Sequence, residues 1–196
     1  MDRTLLQRAL FLLVVGIFLL ICSSLSTLFL QSQTALSVML GCSVSYVFVQ
    51  WTAMRLAYRA SHEGHYNTGS HVCLANIICW FSTMLGIQLY GFVVILSALC
   101  DVAMMYYICQ GTNQLLRESG HTKLPSAGDK LWKLYLVLGT ASLLGSVGLV
   151  PVSVLVYNAI SVGVLLVLAT YAVYLHRAGK ILAGAEDPQD PTRNLP

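Results

Sequence analysis

The chain alternates long apolar runs with short polar breaks. Residues 9–30 carry no charge, and the polar turn Gln31-Ser32-Gln33-Thr34 separates them from a second apolar run over 35–58. The longest such stretch is 72–110, in which Asp101 is the single formal charge. A helix crosses a ~30 Å hydrocarbon core in about 20 residues, so this stretch is too long for one crossing and about right for two. It predicts a helical hairpin with spans over 72–88 and 91–110, turning at Gln88-Leu89-Tyr90-Gly91. Two more apolar runs, 131–149 and 152–175, are divided at Pro151, a residue that breaks helices.

The polar segments between the runs predict the helix boundaries. The stretch 60–70 is rich in His, Gly and Asn, with Ser70 placed to cap the third helix. Arg117, Glu118, His121, Lys123, Pro125 and Gly128 make 111–130 polar, with Asp129 placed to cap the fifth. The tail 177–196 holds Pro188, Pro191 and Pro196 among acidic residues and has no apolar periodicity, so it reads as a disordered cytoplasmic tail.

Together the runs predict an all-α integral membrane protein. Its transmembrane domain, 9–176, has six helices arranged as three hairpins, after a short N-terminal segment, 1–8. The run 9–30 is longer than the apolar core of a signal peptide and lacks a small-residue cleavage site, so it reads as a retained span. Each second helix of a hairpin ends in Tyr or Trp followed by basic residues, which fits a threefold repeat or the topology alone.

Composition agrees with the pattern. The 196 residues are 57% hydrophobic and only 10% charged, with mean hydropathy +0.72, outside the range of ordinary soluble domains. All eleven Lys and Arg residues fall on one side of the six-span arrangement. Basic loops stay in the cytoplasm, so both termini are expected there, in a cell (inner or plasma) membrane. The basic residues are too dispersed for nucleic acid, which is set aside as a partner. The expected partners are the lipid bilayer and either further copies of the chain or a second membrane subunit. The six cysteines include no CxxC pair and read as small buried hydrophobes.

Small residues mark candidate close-packing faces: Ser37, Gly41 and Ser45 on the second helix, with that face inward, Gly145 on the fifth, and Ala159 and Gly163 on the sixth. Trp51, Tyr58, Tyr106, Tyr107, Trp132, Tyr135, Tyr171 and Tyr174 lie near the cytoplasmic helix ends and read as an interfacial aromatic belt.

Asp101 is the sharpest chemical feature. Near the bilayer midplane an ionised Asp costs roughly 2.5–3.5 kcal/mol, so it must gain a partner or take up a proton. No Lys, Arg or His lies at that depth, which leaves Gln50, Ser82, Thr83 and Thr140 as candidate neighbours within about two helical turns of it. Two function classes follow. In the first, the chain is a transporter or permease module for a small solute, ion or lipid, with Asp101 coupling to protons or cations. In the second, it is a non-transporting assembly, sensing or accessory subunit in which Asp101 is a helix or subunit contact.

His62, His65 and His71 are ligand types that transition metals accept, but their spacing fits no zinc motif, and solvated interfacial histidines are the plainer reading. No metal or cofactor is expected. An intramembrane aspartyl protease needs two carboxyls, and no GxSxG, HExxH or P-loop pattern occurs, so an enzyme is not expected.

Overall fold

A computed structural model describes residues 1–29, 33–84, 90–146 and 153–184, without the side chains of 26–29, 33–37, 39, 40, 83, 84, 90, 91, 94 and 146. Of the expected turns 31–34 and 88–91, residues 31, 32, 88 and 89 lie outside these residues, as do the break at Pro151 and most of the tail, while 33–34 and 90–91 already belong to helices and not to turns. Among the described residues the chain is all helical: α1 (Arg3–Phe29), α2 (Gln33–Ser61), α3 (Gly64–Met84), α4 (Tyr90–Glu118), α5 (Lys123–Ser146) and α6 (Val154–Leu182). Three stretches, Arg3–Leu25, Ile95–Glu118 and Val154–Leu182, are long and apolar enough to cross a membrane. Phe11, Phe18, Ile78, Phe92, Val137, Leu155 and Leu166 are exposed on the outside of the bundle. Such a surface suits hydrocarbon and would be a liability in water. The chain is a membrane protein.

The helices run well past the apolar runs, which corrects the reading of the polar segments as loops. Apolar burial continues on one face beyond each run: Tyr66 near the start of α3, Leu115 and Leu116 near the end of α4, and Ala178 and Leu182 near the end of α6 are all buried. Each segment therefore keeps an amphipathic helix where composition alone suggested a break. The tail accordingly remains helical through Leu182. Neither proposed cap acts as one. Ser70 sits inside α3 and donates to the Asn67 carbonyl at 2.7 Å, and Asp129 lies inside α5, whose first turn accommodates Pro125. The observed caps are Asp2, which accepts from the Leu5 amide at 3.0 Å, and Ser153, which accepts from the Val156 amide at 3.4 Å.

Each helix packs on its neighbours in sequence, and α6 returns to α1, so the six close into a ring with a further contact between α4 and α6. The ring brings the charged helix ends together. The Asp2 amide donates to the Ala60 carbonyl at 2.9 Å, a Cβ on Gly184 would stand 3.0 Å from Arg3 Nη1, and Arg117 pairs with Asp129 at 2.8 Å. The starts of α1 and α5 and the ends of α2, α4 and α6 thus share one basic end. A left-handed residue, His62 (φ 59°), links α2 to α3 at that end.

The inward face of α2 is not the one the small-residue stripe suggested. Gly41 and Ser45 are exposed, and a Cβ on Gly41 would meet nothing within 4 Å. Instead Ser43, Tyr46, Val47, Gln50, Ala53 and Met54 face the core, and Ser43 shares a 2.8 Å hydrogen bond with Ser23 of α1. Gly163 does pack closely, since a Cβ there would lie 3.3 Å from Leu138 of α5. Gly145 is half-buried and Ala159 exposed. The Ser37 side chain lies outside the described residues. All six cysteines are free; four are buried, whereas Cys22 is exposed and Cys42 half-buried.

Candidate functional site

Asp101 sits midway along α4, half-buried, where the helix faces α3. Asn76 Nδ2 donates to Asp101 Oδ1 at 2.9 Å, and Ser97 Oγ, one turn before Asp101, donates to Asn76 Oδ1 at 2.7 Å. Asn76 is fully buried. Its carboxamide is engaged at both ends, so the two bonds fix which way the amide points. Neither the His65–Glu63 nor the Arg117–Asp129 ion pair involves Asp101, whose hydrogen-bond partner is Asn76. Asp101 is therefore held by neutral groups.

Tyr46 of α2 lies beside the same carboxyl. It opens onto a small cavity in the middle of the ring, lined by Ile17 of α1, Tyr46 and Gln50 of α2, Asp101 of α4, Tyr135 of α5 and Tyr171 of α6. The space, about 10 Å3, is roughly that of one water molecule. Two of the groups around it lack a partner. Gln50 donates through Nε2 to the Leu13 carbonyl at 3.3 Å, but Gln50 Oε1 and the Tyr171 hydroxyl are buried with no hydrogen bond. Gly16 on α1 makes room for the carboxamide, since a Cβ there would come within 2.7 Å of Gln50 Nε2.

Orphaned buried polar atoms are costly, on the order of 1–3 kcal/mol each. Two of them around a cavity that also holds a carboxyl make a site for a polar occupant. The oxygen-rich set of carboxyl, carboxamide and phenol suits a water, a proton carrier or a small hard cation.

Toward the basic end a second polar layer closes the ring. Asp129 Oδ1 accepts from Asn113 Nδ2 at 2.9 Å and from Gln110 Nε2 at 3.3 Å, while Asp129 Oδ2 accepts from Arg117 Nη2 at 2.8 Å. The Tyr174 hydroxyl donates to Asn113 Oδ1 at 2.7 Å, so the layer joins α4, α5 and α6. The Tyr174 ring stacks with Tyr171, centroids 6.3 Å apart, which connects this layer to the cavity. Beside it, Tyr66 and Thr112 share a 2.8 Å hydrogen bond between α3 and α4.

Of the expected site residues, the structure brings Asp101 and Gln50 together. Ser82 donates to the Ile78 carbonyl of its own helix at 2.9 Å, and Thr140 is exposed on α5. Neither lines the cavity. The Thr83 side chain lies outside the described residues. Tyr135, Tyr171 and Tyr174, expected in an interfacial belt, are buried inside the ring. His65 Nδ1 meets Glu63 Oε1 at 2.7 Å, while His62 and His71 are exposed. Among the described residues no three His, Cys, Asp or Glu side chains gather as metal ligands.

Sequence reasoning passed over Asn76, the direct partner of Asp101. The signal was present, because Asn76 and Asp101 lie almost equally far on either side of the hairpin turn. No known protein family, curated protein or solved structure matches this chain.

Proposed function

We propose that the chain is a six-span transporter or permease module in a cell membrane. Both termini lie in the cytoplasm, and Asp101 couples movement of a small solute, ion or lipid to that of protons or cations. The crossing number is supported by six helices that are neighbours in one ring, the shortest having 21 described residues, about the length needed to cross the core. The orientation is supported by the basic residues gathered at one end of the ring.

One observation carries the reading. Gln50 Oε1 and the Tyr171 hydroxyl, both buried and unpartnered, line the same cavity as Asp101. A purely structural carboxyl does not need acceptors and donors waiting on the far side of an otherwise closed core. In this reading the cavity is the occluded centre of a pathway, and the Asp129 layer closes it toward the cytoplasm. Asp101 is the loading group, and the Asn76–Ser97 pair holds the carboxyl in place. The chain transports and does not catalyse.

The test is flux. In proteoliposomes holding a pH-sensitive dye and an imposed pH and potassium gradient, the wild-type chain is expected to move protons. Asp101→Asn should slow that movement by about a hundredfold, the scale of a lost positioned proton-transfer group, while Ser82→Ala and Thr140→Val leave it unchanged. No wild-type flux, or equal flux in Asp101→Asn, would sink the proposal.

A second reading rests on the hydrogen bonds from Ser97 through Asn76 to Asp101, which tie α3 to α4. There the chain is a non-transporting assembly, sensing or accessory subunit, alone as an oligomer or with a partner membrane protein. Asp101→Asn would then weaken assembly or thermal stability and have no flux to abolish.

A further inference from the structure

We infer that the seam between α1 and α6, where the ring closes, binds one anionic phospholipid. A groove of roughly 990 Å3 runs along this seam. Phe11 and Phe18 of α1 and the short side chains of Ala169 and Ala172 of α6 are among the residues that line it. Phe11 and Phe18 are 62% and 58% exposed. At the basic end the apolar walls give way to His176, Arg177 and Lys180, and none of the described residues that line the groove is acidic. Among the described residues Arg177 has no acidic partner.

The dimensions fit one leaflet. From Ala169 to Lys180 the helix rises about 16 Å, close to half of a ~30 Å hydrocarbon core. An acyl chain can lie along the alanines with its headgroup at the cations. Apolar contact alone selects no lipid, since every phospholipid brings acyl chains. The charge complementarity at one end makes the occupant an anionic one, as expected for basic pockets between membrane helices. This inference needs only the membrane setting and does not depend on Asp101 or on transport.

The experiment is native mass spectrometry of the full chain, stripped of lipid in mild detergent. It is then titrated with phosphatidylglycerol and phosphatidylcholine carrying identical acyl chains. The first equivalent of phosphatidylglycerol should bind roughly fivefold tighter, the worth of one basic side chain near a headgroup. Arg177→Gln should bring the two lipids near parity at an unchanged thermal midpoint. Ala169→Trp, which fills the groove, should displace both lipids, whereas Arg55→Gln with Arg59→Gln, exposed residues away from it, should leave the preference intact. Parity in the wild type would overturn the inference. So would an equal loss in the Arg55 and Arg59 variant, lipid retained by Ala169→Trp, or displacement of the lipid by inorganic phosphate.

Discussion

Gly128→Val is expected to prevent the ring from closing. A Cβ at Gly128 would run into Asn113 Oδ1 and stand 2.8 Å from the Tyr174 hydroxyl and 2.9 Å from Tyr174 Cζ. It would land in the hydrogen bond that joins those two side chains. Neither can step aside cheaply, because Asn113 is fully buried and Tyr174 nearly so, and Asn113 also donates to Asp129. Overpacking costs about 1–3 kcal/mol, and each buried polar group left unpaired adds about 1–3 kcal/mol. Together these approach the whole stability of many domains, ~5–15 kcal/mol. The expected result is loss of monodisperse protein in mild detergent, or a thermal midpoint far below that of the wild type. Gly41→Ala is the control. Open space surrounds Gly41, so alanine should gain up to about 1 kcal/mol of helix propensity. The inward face read from the small-residue stripe would instead make Gly41→Ala destabilising. A stable Gly128→Val would contradict the packing of α4, α5 and α6.

The second large effect is expected at Asn76. Leucine there fills similar space but abandons Asp101 Oδ1 and the Ser97 hydroxyl together. Hydrogen bonds between membrane helices average only ~0.6 kcal/mol, because the unfolded state also finds partners in the membrane. That average understates this site, where a carboxyl loses its donor inside a packed ring, so about 2–3 kcal/mol is expected, the range for bonds to charged groups and abandoned polar atoms. A double-mutant cycle isolates the pair. Asn76→Leu combined with Asp101→Leu should recover much of the loss, since removing both partners leaves neither stranded. Simple additivity of the two changes would show that Asn76 and Asp101 are not coupled. Thermal unfolding of all four proteins in one detergent reads the cycle.

How much of this was legible in the sequence differs between depth and rotation. Depth along the chain can be counted from a hairpin turn, and that count placed Asp101 near the middle of its helix; applied to α3, it would also have found Asn76. Rotation about a helix axis could not be read the same way. In water the apolar stripe of a helix marks its inner face, but in hydrocarbon the outer face is apolar too. Ser82 and Thr140 thus share a depth range with Asp101 and miss the site, one bonded back to its own helix and the other exposed. Tyr171 shows the same limit from the opposite side. Aromatic residues near helix ends fit an interfacial belt, and only the closure of α6 onto α1 turns this one into the cavity. The helix ends failed for another reason. Gly, Pro and charge at 111–130 suggested a loop, while buried Leu115, Leu116 and Leu131 keep α4 and α5 helical up to a short turn.

The central claim is that Asp101 exchanges a proton with water through the cavity it shares with Gln50 and Tyr171. Infrared difference spectroscopy of the reconstituted protein, wild type against Asp101→Asn, reads this directly through the carboxyl C=O stretch. A band absent from the variant, present in acid, lost in alkali and restored on return would meet the claim. A carboxyl band that stays unchanged across the titration would contradict it, leaving Asp101 as a buried tie between α3 and α4.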